Sequence, residues 1–179
     1  PGNPAHPSDV VIDFRGKQIC PDALAKRYYT DAIAVYKDGE LLVEGYYGEQ
    51  ELGRPHLMMS MTKSVTAVLV AKYVAEGLID LKKTIAEYLP EMANSGWGPY
   101  SLRVVWDMRH GAAYSEVYDD LNSTVWQHAC ASGWVELKDC TTSAIRSSYE
   151  FLPTVQRDES IVGEFHYKSA STDVLAWVL

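Results

Sequence analysis

One strong hairpin constrains the fold of this chain more than any other sequence feature. The run AIAVYKDGELLVEGYY places two β-rich segments on either side of Asp38-Gly39, a dipeptide typical of two-residue hairpin turns. Most other patterned segments are helical. A lone two-stranded hairpin is marginally stable in water, so it needs further strands or a large packing partner. We therefore predict an α+β fold whose remaining sheet lies beyond residue 179.

Apolar periodicity and capping residues predict the helices. The helix over 61–76 carries apolar residues on nearly every side and few charges, which predicts that it is buried. The segment EFHYKS is predicted to be extended, and residues 1–20 to be irregular. Further helices are predicted over 21–30, 84–92, 101–109, about 124–131 and about 142–151, with a last helix capped by Ser171 or Thr172.

These elements predict one truncated catalytic domain in three parts. Residues 1–30 form an irregular segment and a short helix. Residues 31–59 form the hairpin of an α/β sheet domain. Residues 60–179 form a mostly helical part.

Composition excludes several classes of protein. The net charge of −8 disfavours a nucleic-acid partner, and no apolar run is long enough to span a membrane. The first residues lack a signal-peptide pattern, which favours a cytoplasmic location. The three cysteines (Cys20, Cys130 and Cys140) match no zinc spacing and are predicted to be free structural thiols, so no metal is expected.

The stretch MMSMTKS opens the apolar helix with two residues of chemical interest. Ser60 and Lys63 are spaced i, i+3, which puts both side chains on one helix face. The positive end of the helix dipole and free backbone N–H groups can stabilise an oxyanion there. A lysine in an apolar wall loses its proton more readily and can act as a general base beside a serine nucleophile.

The spacing of this pair has little weight by itself. With 14 serines and 9 lysines in 179 residues, chance gives about 0.7 SxxK matches, and the chain has one. Ser60 can equally cap the helix while Lys63 extends to solvent. The catalytic interpretation depends on the context, because the motif opens a buried helix.

Two tyrosines are further candidates. Tyr114 lies in the loop HGAAYSEVYDD, where a phenol near a lysine can act as a base or proton shuttle, although most tyrosines simply pack their rings. Tyr167, with Ser169, either lines a pocket or packs beneath the last helix. Glu116, Asp119 and Asp120 either form a solvated acidic loop or contact a cationic or amine-bearing substrate.

Three ordered segments resemble a known family. They are SMTKSVTAVLVAKYVAEGLIDLKKTIAEYLPEM, SLRVVWDMRHGAAYSEVYDD and GEFHYKSASTDVLAWVL. From about residue 31 to the end, the chain is similar to the serine β-lactamase superfamily. Within it, the resemblance is to the branch of 6-aminohexanoate-dimer hydrolases and carboxylesterases, relatives of class C β-lactamases. A serine nucleophile in an S-x-x-K motif is typical of this chemistry.

The resemblance implies a fold and a set of roles. The fold would be β-lactamase/transpeptidase-like, an antiparallel sheet flanked by helices with a mostly helical domain. Ser60 would be the acylated nucleophile, Lys63 its general base and Tyr114 the proton shuttle to the leaving group. Tyr167 falls where family members place a pocket tyrosine that can touch the substrate, a small amide or ester. Glu116 and Ser169 stay substrate-binding candidates from the residues themselves. The family uses no metal or cofactor.

Two departures from the family pattern leave alternatives open. The second motif is Tyr114-Ser115-Glu116 where β-lactamases have Tyr-x-Asn, which suits amide and ester hydrolases better. The third motif, Lys or His followed by Ser/Thr-Gly on a late strand, is missing. A β-lactamase or DD-peptidase-like enzyme and a non-catalytic binding module therefore remain rivals. A homo-oligomer or a complementing C-terminal segment is the partner that such a chain would need.

Overall fold

The structure is a computed structural model that describes residues 3–136, 140 and 145–179. Two compact units divide the chain, Pro1–Leu57 and Met58–Leu179. The first unit contains α1 (Pro21–Arg27) and the strands β1 (Ile12–Phe14), β2 (Lys17–Ile19), β3 (Ala32–Lys37) and β4 (Glu40–Tyr46). The second contains α2 (Thr62–Ala75), α3 (Ile85–Tyr88), α4 (Leu102–Trp106), α5 (Thr124–Ala131), α6 (Ser148–Phe151) and α7 (Ser169–Val178). In these described ranges, no helix has the length and apolar character to cross a membrane.

The predicted hairpin is confirmed. Strands β3 and β4 pair antiparallel, with Ala32 opposite Tyr46. Asp38 and Gly39 both adopt positive φ, 52° and 82°, the backbone that a tight hairpin turn between twisted strands requires. The local signal was sufficient because the turn chemistry lies within two residues.

The prediction that residues 1–20 are irregular is wrong over one short stretch. Strands β1 and β2 pair antiparallel, with Ile12 opposite Ile19. Arg15 and Gly16 make the turn, with φ of 55° and 75°. Three-residue strands are too short to establish an alternating apolar pattern, so the sequence carries little signal for them.

The core of the second unit forms where helices converge. α2 and α4 both pack against α7. Thr84 starts α3 with a capping box, in which its side chain accepts from the Glu87 amide and the Glu87 carboxylate accepts from the Thr84 amide. The fully buried side chains of this core include Val70, Ile85, Met92, Trp97, Leu102, Val105 and Val174. These contacts fix the helix that carries Ser60 and Lys63 against the last helix.

The prediction of a buried α2 is wrong, although its predicted span is confirmed. Among the residues of α2, all of which the structure describes, Val70 alone is buried. Val65, Val68 and Leu69 are exposed at 52%, 68% and 45%. The apolar composition of α2 favours burial of every face, but a face is buried only where another element packs against it.

The last helix begins earlier than predicted. It starts at Ser169 with Lys168 as the N-cap residue, and Ser171 and Thr172 lie buried inside it. The Ser169 amide donates to the Glu116 carboxylate, which supplies a distant acceptor for the start of the helix. The preceding residues of EFHYKS form no strand. The helix predicted over 142–151 is seen as Ser148–Phe151, and residues 142–144 lie outside the described residues.

The cysteine prediction is wrong for two of the three cysteines. Cys130 and Cys140 form a disulfide with Cα atoms 5.7 Å apart, and Cys20 is free. Their separation of 10 residues matches no motif, so spacing offers no reason to pair them. Disulfides persist mainly in oxidising compartments, so the predicted cytoplasmic location gains no support from this bond.

Val70 provides a test of the packing that fixes α2. Val70→Ala should lower the free energy of unfolding by about 2 kcal/mol, because it leaves a cavity in the core. The matched control Val68→Ala makes the same change at an exposed site and should cost less than about 0.5 kcal/mol. Urea unfolding followed by tryptophan fluorescence measures both, since all five tryptophans follow Met58. Equal losses in the two variants would contradict the assignment of Val70 to the core.

Candidate active site

Ser60 lies on a tight turn at the start of α2. The residues Met59–Met61 form a 3₁₀ turn that leads directly into the helix. Met59 has a φ of 48°, a left-handed conformation that is rare for a long side chain and is concentrated at functional sites. Ser60 itself is exposed. The turn therefore presents the serine hydroxyl to solvent at the positive end of the helix.

Lys63 contacts the serine directly. Its Nζ atom donates a hydrogen bond to Ser60 Oγ over 2.9 Å. The i, i+3 spacing predicts that the two side chains share a face, and one helical turn provides the contact. Lys63 Nζ also lies 5.5 Å from the centre of the Tyr167 ring. A cation is thus placed between a hydroxyl and a phenol.

Tyr167 completes this group. Burial raises the pKa of its phenol, but hydrogen bonds with Ser60 and Lys63 and the charge of Lys63 outweigh burial, and the net shift is downward. A phenol that ionises more readily is a better general base near neutral pH. Ser60 and Lys63, joined by a hydrogen bond, and the neighbouring Tyr167 therefore form one group, which we call the Ser60 cluster.

The backbone around Tyr167 is held by Met108, which follows α4. The His166 amide donates to the Met108 carbonyl over 3.1 Å, and the Lys168 amide donates to Met108 Sδ over 3.4 Å. Lys168 is fully buried, and its Nζ donates to the His110 carbonyl over 3.5 Å. Burial lowers the pKa of Lys168. Tyr167 is thus the exposed residue between two anchored neighbours.

A buried polar network lies beside Lys168. The Ala112 amide donates to His110 Nδ1 over 3.2 Å, so Nδ1 is the unprotonated ring nitrogen and Nε2 carries the hydrogen. His110 Nε2 then donates to Ser171 Oγ over 2.7 Å, and Trp97 Nε1 donates to the same oxygen over 3.4 Å. This network of uncharged side chains connects the first turn of α7 to the core.

Tyr114 is not brought to the Ser60 cluster. Its side chain is buried, and its hydroxyl lies 3.2 Å from His128 Nδ1. Burial, with the nearby charge of Glu116, raises the pKa of this phenol well above its usual range. Within the described part of the chain, no hydrogen bond joins it to Ser60 or Lys63. Tyr167, and not Tyr114, is therefore the tyrosine that lies beside Lys63.

Glu116 and Ser169 lie close together, but they contact each other. The Glu116 carboxylate accepts from the Ser169 amide, and its other oxygen accepts from the Tyr118 hydroxyl over 2.5 Å. The sequence interpretation has Glu116 contact an amine-bearing substrate. Both of its oxygens instead have partners within this chain.

A crevice lies beside Lys63. Its volume is about 200 Å³, and its walls include Ala67 of α2, Trp106 of α4 and Leu175 of α7. Among the described residues, no cluster of three or more His, Cys, Asp or Glu side chains could hold a metal ion.

Sequence reasoning missed Tyr118 and His128. Tyr118 is two residues from Glu116, which was a weak signal for a shared contact. His128 lies on α5 and contacts the Tyr114 hydroxyl only because the fold brings the two residues together. No sequence spacing could have indicated this contact.

The comparisons with known proteins agree with this fold. The Beta-lactamase family model matches residues 19–179, so the chain belongs to the beta-lactamase family. The predicted superfamily and its β-lactamase/transpeptidase-like fold are thereby confirmed.

The similar proteins include two curated relatives and one solved structure. A 6-aminohexanoate-dimer hydrolase from Paenarthrobacter ureafaciens is 35% identical over 187 residues, which cover 99% of this chain and 45% of the relative. Esterase/beta-lactamase LipL from Mycobacterium tuberculosis is 31% identical over 98 residues, 50% of this chain and 22% of the relative. A solved structure from Bacillus anthracis, provisionally named 6-aminohexanoate-dimer hydrolase, has a TM-score of 0.82 at 24% identity and covers 98% of this chain and 46% of that one. The chain thus spans less than half the length of each.

The buried histidines give a test of the site's surroundings. Burial lowers the pKa of His110 to about 3 and that of His128 to about 4. As pH falls below about 6.5, the unfolded chain binds protons at these two histidines, whereas the folded chain leaves both neutral. The free energy of unfolding should therefore fall as pH falls from about 6.5 to 4.

NMR titration of the histidine rings measures this directly. His110 and His128 should stay neutral at pH 5. The exposed control His56, 2.8 Å from Asp31, has its pKa raised by that hydrogen bond and should titrate above pH 6.5. A midpoint near 6.5 for His128 would contradict its buried contact with Tyr114.

Proposed function

We propose that this chain carries the nucleophile of a serine hydrolase that cleaves a small amide or ester through an acyl-enzyme on Ser60. The observation that carries the proposal is the Ser60 cluster, in which Lys63 Nζ lies 2.9 Å from Ser60 Oγ and 5.5 Å from the centre of the Tyr167 ring. A nucleophile within hydrogen-bond reach of its activating groups is the arrangement that covalent catalysis needs.

Acylation begins with the serine proton. Because Lys63 donates to Ser60 Oγ, the serine hydroxyl hydrogen is free to pass to the Tyr167 oxygen. Oγ then attacks the substrate carbonyl carbon. The tetrahedral intermediate collapses when the bond to the amine or alcohol breaks, and Tyr167 gives its proton to that leaving group.

Deacylation reverses these roles. Water attacks the acyl carbon and gives a proton to Tyr167, which returns it to Ser60 as the acid product leaves. In this scheme Lys63 favours the ionised form of Tyr167 and holds Ser60 Oγ, rather than taking the serine proton as the resemblance implied. Its charge also favours the oxyanion that develops nearby.

The printed names of the relatives support the substrate class. One is a 6-aminohexanoate-dimer hydrolase and the other an esterase/beta-lactamase. Ser169 stays within our proposal as a substrate contact at the edge of the site, and Tyr167 has 42% of its surface exposed to meet substrate. A homo-oligomer or a complementing segment belongs to the same proposal.

A penicillin-recognising enzyme is the second candidate. The name of LipL includes beta-lactamase, and this favours a test with nitrocefin. Nitrocefin turnover without hydrolysis of p-nitrophenyl acetate would favour this candidate over an amide or ester hydrolase.

Two tyrosine variants test the proposed cluster. Ser60 should react with a fluorophosphonate probe, and Ser60→Ala should abolish both labelling and hydrolysis of p-nitrophenyl acetate. Tyr167→Phe should slow labelling at least about 100-fold, because it removes the proton acceptor. Tyr114→Phe makes the same chemical change in the buried pair with His128 and should change the rate only a few-fold.

Of the three outcomes below, the first and the last contradict the proposal. If Tyr114→Phe loses labelling and Tyr167→Phe keeps it, then the role implied by the family resemblance is correct and ours is not. If the parent chain takes no label at Ser60 while a longer chain does, the site needs residues outside this chain. Silence in both would favour the non-catalytic binding module.

A further inference from the structure

The segment that carries Tyr167 has little regular structure of its own. Residues 164–168 form neither helix nor strand. Met108 holds the amides on either side of Tyr167 from one direction. The position of a phenol on such a segment is only as fixed as the hydrogen bonds that hold the segment.

Two hydrogen bonds to one carboxylate tether the segment from a second direction. The Ser169 amide donates to one Glu116 oxygen, and the Tyr118 hydroxyl donates to the other over 2.5 Å. The nearby Ser169 side chain partly opposes the rise that Glu116 causes in the pKa of the Tyr118 phenol. We call these three residues the Glu116 ring.

The Glu116 ring is itself anchored to a helix. Trp126 of α5 donates from Nε1 to the Tyr118 carbonyl over 3.0 Å, and the two aromatic rings meet edge to face with centres 6.2 Å apart. The carboxylate thus connects the irregular loop 114–123, braced on α5, to the first residue of α7.

From this arrangement we propose that Glu116 is a positioning residue that holds Tyr167 against Ser60 and Lys63 by fixing the Ser169 amide. The inference rests on the proposed function. It assigns Glu116 a role different from substrate contact, because both carboxylate oxygens are engaged within the chain. A rigid supporting contact of this kind determines how well a catalytic group is held.

Charge gives the ring a second effect on Tyr167. The groups that act on its phenol are Ser60 and Lys63 at the start of α2, and Glu116 and Tyr118 from the loop. Lys63 lowers the pKa of Tyr167, whereas Glu116 raises it. Removing the carboxylate charge while keeping the ring should therefore make the phenol easier to ionise.

Three variants separate position from charge. Glu116→Gln keeps a side chain that can bond to both Ser169 and Tyr118 but carries no charge. Glu116→Ala removes both the hydrogen bonds and the charge. Asp119→Asn is the matched control, because it removes one charge from an exposed residue of the same loop with no hydrogen bond among the described residues.

Two measurements on the parent and each variant decide the matter. 3-Fluorotyrosine placed at position 167 reports the phenol's ionisation and environment by ¹⁹F NMR, and fluorophosphonate labelling against pH reports the reactivity of Ser60.

Glu116→Gln should lower the ¹⁹F midpoint by about half a unit, move the acidic limb of the labelling profile the same way, and keep the maximal rate within a few-fold. Glu116→Ala should slow labelling at least about tenfold and broaden or split the resonance. Asp119→Asn should change neither.

The proposal is overturned if Glu116→Ala labels like the parent and keeps a single parent-like resonance. It is also overturned if Asp119→Asn reproduces the effects of Glu116→Gln. The ¹⁹F signal does not require turnover, so an unreactive parent would count against the proposed function while the resonance still tests the ring. Tryptophan fluorescence checks that each variant folds, and Glu116→Gln keeps the test intact if the alanine variant does not.

Discussion

The position of one lysine between a serine hydroxyl and a phenol ring is the interaction on which the rest of this site depends. Lys63 lies within reach of the Ser60 hydroxyl and beside the Tyr167 ring. Burial by itself would raise the pKa of the phenol, and Ser60 and Lys63 together reverse that effect. The packing of α2 and α4 against α7 is what brings these groups from distant parts of the sequence to the same place.

Local signals predicted much of the fold. The turn at Asp38-Gly39 and the extent of α5 follow from residues that are neighbours in sequence, and both are seen. The exposed sides of α2 and the early start of α7 could not be predicted, because they depend on what packs nearby. The carboxylate that satisfies the Ser169 amide comes from a different loop.

The candidate site divides in the same way. Ser60 and Lys63 were found because one helical turn connects them. The choice between Tyr114 and Tyr167 could not be made from sequence, since each is a tyrosine in a polar segment far from Ser60. Their surroundings in the fold differ, because the Tyr114 hydroxyl is enclosed with His128 while Tyr167 stays exposed beside the lysine.

The left-handed backbone at Met59 has a consequence for how this chain can evolve. A side chain at positive φ costs of order 1 kcal/mol or more, and a glycine would relieve most of it. The same glycine would widen the range of turns that the chain can adopt before the helix. Selection for greater stability and selection for a fixed serine therefore act in opposite directions at this one residue.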